Sequence, residues 1–467
     1  MDILNNVREL VLDMLMEILE NGGYSHLVIR DVLDKYDYSD PKEKAFVKRV
    51  TEGTLERLIQ IDYVLNAFSK VPVSKMKPLI RNLMRMSVYQ LLFMERIPDS
   101  AICNEAVKLA GKRGFRGLSG FVNGVLRGIA RNRDNISYPD KNEDPVKAFS
   151  IRYSMPDWLV ERWIACYGRE KTQAILEGSL REHPVTVRLR EDLSKKQTEE
   201  WLAELGKQGI SVQQHPYLSY AYRLSGAEGI KRLPGYEEGL FVVQDVSSML
   251  VAEIASGLLE TVDAEKENRT ENPLVLDACA APGGKSLHMA EKLAGRGKVI
   301  ARDLTEYKAS LIRDNKQRMN YDHLEVQVQD ATVLDEAMIE KADVVLADLP
   351  CSGLGIMGKK RDIKYRIRPE SLQELEALQK QILHVVWQYV KPGGILVYST
   401  CTINPAENEQ MADWFAQTHP FSLQSLEAFL PGALKGEGME GKLQLFPGIH
   451  ETDGFFIAGF RRKQENE

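Results

Sequence analysis

The sequence has no run of about 18 apolar residues, the minimum for a helix that crosses a membrane. Its first apolar stretch is interrupted by Glu9, Asp13 and Glu17 at helical spacing, which predicts an amphipathic helix and excludes the apolar segment of a secretory signal peptide. With 43% hydrophobic and 27% charged residues, the chain has the composition of a globular protein. We therefore expect a cytoplasmic protein that does not associate with membranes.

Cysteine is scarce as well. The five cysteines are an odd number, widely spaced, with no Cys-x-x-Cys pair and no histidine at metal-ligand spacing; they are Cys103, Cys166, Cys279, Cys351 and Cys401. This pattern indicates neither a disulfide framework nor a zinc site, and we expect no metal. We expect Cys103 and Cys166 to be small buried residues, which is the commonest role of a lone cysteine.

Positive charge is not in excess, because the net charge of the chain is -6. This excludes indiscriminate attraction to polyanions, so any contact with nucleic acid needs a local basic patch. Two stretches, 108–133 and 359–368, are rich in Lys and Arg. A solvated surface is the alternative explanation for each stretch, and from charge alone it is the more common one.

A chain of 467 residues is too long for one hydrophobic core and predicts two or three domains. Apolar residues recur at intervals of three and four as far as about residue 133, which predicts an all-helical domain over 1–135. The polar stretch 134–145 contains two prolines and predicts a linker. Residues 146–240 combine helical patterns with two short strand patterns, which predicts a small α+β module.

From 241 to 467, apolar strand patterns alternate with helical patterns. Strands are predicted at 274–278, 298–301, 324–328, 343–347 and 395–399, with a closing pair at 443–445 and 454–460. Such alternation predicts a Rossmann-like α/β domain whose sheet is doubly wound and largely parallel.

Ligands of these sheets bind at the carboxyl ends of the strands. Four carboxylates are predicted at that edge: Asp277, Asp303, Asp330 and Asp348. Each alone could cap a helix, but together they would repel a dinucleotide pyrophosphate and would suit a cationic sulfonium. The glycines Gly283 and Gly284 lie in neither a Gly-x-Gly-x-x-Gly loop nor a Gly-x-x-x-x-Gly-Lys-Ser/Thr loop, which disfavours a dehydrogenase or a nucleotide triphosphatase. We therefore predict an S-adenosylmethionine site in which Asp303 accepts hydrogen bonds from the ribose.

Two cysteines follow predicted strands on the same side of the sheet, Cys351 after 343–347 and Cys401 after 395–399. Carbon 5 of cytosine is a poor nucleophile until a thiolate has added at carbon 6. Two thiols beside a methyl donor therefore predict methylation of cytosine, with one cysteine attacking and the other helping to resolve the adduct. The residues alone leave the order open. Lys285 or the sulfonium could activate the attacking thiol, and Asp348 could accept from the exocyclic amine of the base.

Three motifs, Asp277-Ala-Cys-Ala-Ala-Pro-Gly-Gly-Lys285, Asp348-Leu-Pro-Cys-Ser-Gly353 and Ser399-Thr-Cys-Thr402, together resemble those of the RNA 5-methylcytosine methyltransferase family. The resemblance implies that Cys401 attacks the base and that Cys351 assists release. It also implies a set of cofactor contacts, which is Cys279, Ala280, Ala281, Pro282, Gly283, Gly284, Lys285, Asp303, Asp330 and Asp348.

The helical domain, with Phe121-Val-Asn-Gly-Val-Leu-Arg127, is similar to the RNA-binding antitermination factor NusB. A NusB-like domain before a methyltransferase domain resembles the cytosine-5 methyltransferases of 16S rRNA. The resemblance implies that 16S rRNA, free or in an assembly intermediate, is the substrate and that 108–133 is an RNA surface; we expect a monomer. One alternative is a cytosine-5 methyltransferase of tRNA or 23S rRNA, which shares every catalytic motif. The other is a non-catalytic RNA-binding assembly or antitermination factor, which need not bind S-adenosylmethionine.

Overall fold

The computed structural model describes residues 7–35, 41–181, 184–227, 229–265 and 270–464. Each predicted domain, 1–135, 146–240 and 241–467, thus includes a few positions outside the described residues. Two compact units are present: the first comprises Met1–Arg181 and Met357–Arg366, and the second comprises Glu182–Ile356 and Ile367–Glu467. In the described part of the chain, no helix combines the length and apolar content required to cross a bilayer.

The first unit is built from α-helices in its described part. Its helices have apolar residues at every third or fourth position, and a core formed by residues between 7 and 129 includes Leu12, Leu83 and Leu126. These helices are α1 (Val7–Leu19), α2 (Ser25–Lys35), α3 (Pro41–Glu56), α4 (Leu58–Phe68), α5 (Pro78–Phe93), α6 (Asp99–Lys112), α7 (Ser119–Asn132), α8 (Pro145–Tyr153), α9 (Asp157–Tyr167) and α10 (Arg169–Ser179). The predicted helical fold is confirmed.

The predicted linker, 134–145, contains the end of a short 3-10 turn and no α-helix or strand before α8 begins. Asp144 caps α8, because its side chain accepts a hydrogen bond from the backbone N–H of Lys147. Helices α8–α10 belong to the first unit although they follow this stretch. The domain boundary at 146 stays a prediction.

The second unit contains two sheets. Its strands are β1 (Val185–Leu189), β2 (Ser211–Gln214), β3 (Ala221–Ser225), β4 (Phe241–Val243), β5 (Leu274–Asp277), β6 (Lys298–Asp303), β7 (Leu324–Val328), β8 (Ala342–Asp348), β9 (Val390–Thr400), β10 (Phe421–Leu423), β11 (Lys442–Leu445) and β12 (Phe455–Arg462). The helices that follow α10 in the chain are α11 (Lys195–Lys207), α12 (Val246–Glu265), α13 (Gly284–Leu293), α14 (Glu306–Met319), α15 (Ile363–Arg366), α16 (Pro369–Val386) and α17 (Glu409–Thr418), of which α15 belongs to the first unit.

The smaller sheet is antiparallel, with strand order β2-β3-β1-β4. Strand β1 and helix α11 lie where the α+β pattern predicts them, and Trp201 of α11 packs in the core of this module with Phe241. Strand β3 has no predicted counterpart. It pairs with both β1 and β2, so the sheet depends on a strand that the pattern did not reveal.

The larger sheet has the order β10-β12-β9-β8-β5-β6-β7, and β11 also pairs with β12. The five strands from β9 to β7 are parallel, whereas β12 runs antiparallel to β9, so the sheet is mixed. Successive residues of β5 enter different cores: Val275 lies in one hydrophobic cluster and Leu276 in another. Because side chains alternate across a strand, both faces of the sheet are covered, as the alternating pattern predicted.

The segment Met357–Arg366 lies in the first unit although the chain reaches it from β8 of the second. Asp362 accepts hydrogen bonds from both the backbone N–H and the hydroxyl of Ser25. Lys364 Nζ donates to the carbonyl of Glu56 at 3.0 Å, and the Tyr365 hydroxyl donates to the carbonyl of Leu55 at 2.8 Å. Burial lowers the pKa of Lys364 to about 7. This half of the basic stretch 359–368 is therefore part of the helical packing and not a solvated face.

Candidate active site

Four polar positions lie at one edge of the larger sheet, because the parallel strands end there. Asp277 is the last residue of β5, Asp303 ends β6 and Asp348 ends β8. Cys401 directly follows β9. In register, Asp348 pairs with Ser399, two residues before Cys401. The sheet thus brings the predicted donor site and one predicted catalytic cysteine to the same edge.

The loop 278–283 between β5 and α13 is held by hydrogen bonds from its backbone N–H groups to residues of β6. The N–H of Ala280 donates to the carbonyl of Arg302 at 2.8 Å, and the N–H of Ala281 donates to Asp303 Oδ2 at 2.9 Å. Gly283 has φ +105°, and a Cβ there would lie 3.1 Å from Cγ2 of Ile312. Only glycine tolerates both the backbone conformation and the close approach, so the loop geometry requires this residue.

Asp303 and Asp330 differ in burial. Asp303 is buried, and its Oδ1 accepts from the N–H of Leu304 at 2.7 Å and pairs with Lys308 Nζ at 3.0 Å. Asp330 follows β7 and is half-buried; its Oδ1 accepts from both the N–H and the hydroxyl of Thr332. These bonds lower the pKa of Asp330. Both carboxylates are fixed in place at the edge where the sequence predicted them.

Asp277 is buried and only partly satisfied. Its Oδ2 accepts a hydrogen bond from Ser286 Oγ at 2.6 Å, while Oδ1 is buried and has no hydrogen-bond partner among the described residues. Burial raises the pKa of Asp277 to about 7, although the Ser286 hydrogen bond and the charge of Lys285 oppose the rise. A buried oxygen without a donor marks a place where a polar or cationic ligand would be stabilised.

Lys285 and Asp348 form an ion pair at this edge. Lys285 Nζ lies 2.6 Å from Asp348 Oδ2, and the other oxygen of Asp348 accepts from Ser399 Oγ at 2.8 Å. Burial tends to lower the pKa of Lys285, but the charge and hydrogen bond of Asp348 outweigh burial and raise it. Lys285 therefore keeps its positive charge, and the charge of Cys401 contributes to the same rise.

The two cysteines face each other. Their Sγ atoms are 3.3 Å apart, and both side chains are partly exposed. The N–H of Gly355 donates to the carbonyl of Cys401 at 3.1 Å, which links the loop after Cys351 to the loop after β9. The hydrogen bond to Cys401 raises the pKa of Cys351 well above its ordinary value, with burial and the charges of Cys401 and Glu407 acting in the same direction. Cys351 is therefore a neutral thiol near neutral pH.

The other three cysteines have different surroundings. Cys103 is buried, as predicted. The prediction for Cys166 was wrong: it is exposed, because it lies on the last turn of α9 beyond the last buried residue of that helix, Trp163. Burial, with the charges of Asp303, Asp277 and Asp348, raises the pKa of Cys279 far above its ordinary value, which disfavours a nucleophilic role.

A buried polar network behind the two cysteines was not found by sequence analysis. It contains Ser352, Gln379, Asn404 and Glu407, each buried. Glu407 lies two residues before α17, and an acid at that place is common at a helix start, so no feature of the sequence distinguishes it from an exposed acid.

One further cluster has the composition of a metal site. Glu191, Glu253 and His288 lie close enough together to hold an ion. Lys292 Nζ, however, is 2.7 Å from Glu191 and 2.6 Å from Glu253. Because the ammonium already neutralises the two carboxylates, the cluster is accounted for as an ion-pair network.

Comparison with known proteins assigns the chain to a family. A family model described as 16S rRNA methyltransferase RsmB/F matches residues 265–461, a NusB family model matches 5–131, and a model of the RsmF/B-like ferredoxin-like domain matches 155–231. The probable ribosomal RNA small subunit methyltransferase B of Bacillus subtilis (strain 168) is 36% identical over 461 residues, which cover 98% of this chain and 99% of that protein. The chain belongs to the 16S rRNA methyltransferase RsmB/F family.

Two solved structures share the fold of the chain. The crystal structure of PH0851 is 25% identical, covers 98% of each chain and has a TM-score of 0.77. The crystal structure of NSun6 from Pyrococcus horikoshii with SFG is 21% identical, covers 66% of this chain and 99% of its own, has a TM-score of 0.56 and shows the fold alone. As a member of the RsmB/F family, the chain is an S-adenosylmethionine-dependent rRNA methyltransferase, and the resemblance drawn from the three motifs is confirmed.

The NusB-like region of this family member carries the basic stretch 108–133. Several of its cations are paired with acids: Lys112 and Arg113 with Glu9, and Arg133 with Asp99. Arg116 and Arg131 are exposed and form no ion pair among the described residues. The uncompensated positive charge of the stretch is therefore smaller than its sequence indicates.

Proposed function

We propose that the chain transfers a methyl group to carbon 5 of a cytosine in 16S rRNA through a covalent bond between Cys401 and the pyrimidine ring. The observation that carries this proposal is the pair of Sγ atoms 3.3 Å apart at the sheet edge where Asp277, Asp303 and Asp348 also lie. The names of the family and of its relatives support rRNA of the small subunit as the substrate. The chain would act in the cytoplasm.

The residues at the edge fit S-adenosylmethionine. The unpartnered Oδ1 of Asp277 and the other carboxylates suit a donor with a positive charge, and Gly283 leaves room for close approach to the backbone. When bound, the cofactor supplies the methyl group that carbon 5 accepts. SFG, an analogue of this cofactor, accompanies the NSun6 structure of the same fold and supports the assignment. The residues that would hold it are Cys279 to Lys285, Asp303, Asp330 and Asp348.

Cys401 is the proposed nucleophile. Its thiolate would add to carbon 6 of the base and make carbon 5 nucleophilic. The Lys285 ammonium interacts electrostatically with Cys401, and the same interaction favours a negative charge on that sulfur. Lys285 is itself held by Asp348, so the activating cation has a fixed position.

Cys351 is proposed to assist release. Its raised pKa keeps a proton on the sulfur, so Cys351 is a poor nucleophile but a hydrogen-bond donor 3.3 Å from Cys401 Sγ. When a base takes the carbon 5 proton, the electrons of that C–H bond form the double bond between carbons 5 and 6. The bond between carbon 6 and Cys401 Sγ breaks, and its electron pair returns to that sulfur. A thiol beside Cys401 would stabilise the departing thiolate.

Asp348 is proposed to recognise the base as well. Each of its oxygens has one protein donor, Lys285 or Ser399, and a carboxylate oxygen can accept a second hydrogen bond. The exocyclic amine of cytosine is such a donor, whereas uracil has a carbonyl at that position. Asp348 would therefore reject uracil.

The test compares two alanine variants on 16S rRNA with radiolabelled S-adenosylmethionine. We expect Cys401→Ala to be inactive and to form no adduct, because the bond to carbon 6 cannot form. We expect Cys351→Ala to accumulate a protein–RNA adduct that survives denaturant, because release is slowed. Cys166→Ser, which changes an exposed cysteine, is the matched control and should behave as the wild type. An adduct with Cys401→Ala instead would reverse the two roles.

A further inference from the structure

Glu407 is a buried acid. It has no solvent exposure, and it forms no ion pair with a residue that the structure describes. Taking a carboxylate out of water costs several kcal/mol unless hydrogen bonds replace its hydration. The burial of Glu407 therefore requires hydrogen-bond donors around its carboxylate.

Four donors surround the Glu407 carboxylate. Oε2 accepts from the backbone N–H of Ser352 at 2.8 Å and from Nε2 of Gln379 at 3.1 Å. Oε1 accepts from Nδ2 of Asn404 at 2.9 Å and from the hydroxyl of Ser352. All of these donors are buried. Hydrogen bonds to a charged acceptor are among the strongest in proteins, so this carboxylate fixes its partners firmly.

The donors come from both cysteine loops and from α16. Ser352 is next to Cys351, and Nε2 of Gln379 also donates to the carbonyl of Pro350 at 2.9 Å, on the other side of that cysteine. Asn404 lies three residues after Cys401. The two loops also contact each other directly, because the hydroxyls of Ser352 and Thr402 are 2.7 Å apart.

We propose that Glu407 is the positioning residue that fixes the loop of Cys351 against the loop of Cys401 and so sets the distance between the two sulfur atoms. The inference rests on the proposed function, in which both thiols act on one base. Glu407 does not contact the base; it acts through Ser352 and Asn404. Its negative charge also contributes to the raised pKa of Cys351, so Glu407 helps to keep Cys351 protonated.

The proximity of the sulfurs can be measured without methyl transfer. Diamide oxidises two adjacent thiols to a disulfide and is itself reduced to the hydrazine, and peptide mapping by mass spectrometry identifies which cysteines have joined. We would compare the full-length wild type with Glu407→Gln, which keeps the shape and removes the charge, and Glu407→Ala. The matched control is Asp343→Asn, which changes another buried carboxylate, bonded to the N–H of Leu274 and to Lys391.

We expect the wild type and Asp343→Asn to form the Cys351–Cys401 disulfide rapidly. Glu407→Ala should form it at least about tenfold more slowly, with Glu407→Gln between, because the hydrogen bonds that Glu407 accepts from Ser352 and Asn404 are lost and only the remaining contacts join the two loops. In the methylation assay kcat should fall by about 100-fold in Glu407→Ala, as a displacement near 1 Å can produce, while the KM for S-adenosylmethionine stays at the wild-type value. A structural role alone would lower stability without changing the cross-linking rate of the folded protein.

The proposal is overturned if folded Glu407→Ala cross-links at the wild-type rate. If that variant does not fold, Glu407→Gln decides in the same way: a wild-type rate with a wild-type kcat contradicts the proposal. The cross-linking rate also separates this proposal from the proposed function. A wild-type enzyme that methylates no cytosine would refute the latter, whereas the rate ratio would still report whether Glu407 holds the thiols together.

Discussion

The stability of the chain should depend on pH through Asp277. Burial raises the pKa of this carboxyl to about 7 in the folded state, whereas an aspartate in an unfolded chain titrates near 4. The folded state binds this proton more tightly, so stability is greatest below the unfolded pKa and is lost as the pH rises through the interval from about 4 to about 7. A pKa difference of about 3 corresponds to roughly 4 kcal/mol above pH 7.

Asp277→Asn removes the titrating group and keeps an oxygen that can accept from Ser286. Between pH 5 and pH 8, the wild type should lose about 2.5 kcal/mol of unfolding free energy relative to the variant, since part of the interval lies below pH 5. For a domain of this size that is a relative fall in Tm of roughly 5 to 10 °C, measurable by calorimetry of the cofactor-free protein at several pH values.

Ser286→Ala is the companion variant. The Ser286 hydroxyl donates to Asp277 at 2.6 Å and lowers the pKa of that carboxyl, so its removal should raise the pKa further and extend the loss of stability to higher pH. If the Tm of the wild type and of Asp277→Asn changed in parallel from pH 5 to pH 8, the reasoning would be refuted, because burial would then not raise the pKa of Asp277.

Three other predictions concern separate parts of the chain. Asp348→Asn should lower both the methylation rate on cytosine and the calorimetric affinity for S-adenosylmethionine, since it removes the charge that holds Lys285; wild-type values of both would contradict both roles. As the pH falls from 9 to 7, the wild type should lose about 2 kcal/mol of unfolding free energy, because the unfolded chain binds the lysine proton more readily than the folded one. The Tm of Lys364→Met should stay constant over the same interval. Reversing Arg116 and Arg131 to glutamate should weaken RNA binding for all sequences and reduce the slope of log affinity against log salt by about one for each lost phosphate contact; an unchanged slope in filter binding would exclude an RNA surface there.

Strand β7 alternates apolar and polar residues and is only partly buried. The sheet edge could nevertheless be predicted from sequence, because β5, β6, β8 and β9 are buried on both faces. Such strands appear as continuous apolar runs, and the residue that ends each run is polar where it reaches the ligand side. Strands β5 to β9 and the pair β11 and β12 were found in this way. Strand β10 was missed because it spans only Phe421–Leu423. Three residues are too few to show the alternation that distinguishes a strand from a loop.

The parts that sequence reasoning missed depend on contacts between distant residues. Lys364 can be buried because its ammonium donates a hydrogen bond to the carbonyl of Glu56, 308 positions earlier in the chain. In the sequence it belongs to a basic stretch that predicts a surface. Glu407 is comparable: its carboxylate is satisfied by Ser352 and Gln379, which come from other loops and helices. Local composition cannot reveal a buried charge whose partners are remote.

The proposed roles of the two cysteines are supported by what surrounds each sulfur. Both lie at the same edge and contact each other, so proximity alone cannot decide which one attacks. The hydrogen bond to Cys401, burial and the charges of Cys401 and Glu407 raise the pKa of Cys351 and favour its neutral thiol, whereas the Lys285 cation interacts electrostatically with Cys401 and favours a negative charge on that sulfur. A thiolate attacks carbon 6 and a thiol does not. The difference in electrostatic surroundings therefore favours Cys401 as the nucleophile independently of motif order. It also predicts the behaviour of Glu407→Gln, in which a negative charge that raises the pKa of Cys351 is removed. In that variant, alkylation of Cys351 by iodoacetamide should extend to lower pH than in the wild type.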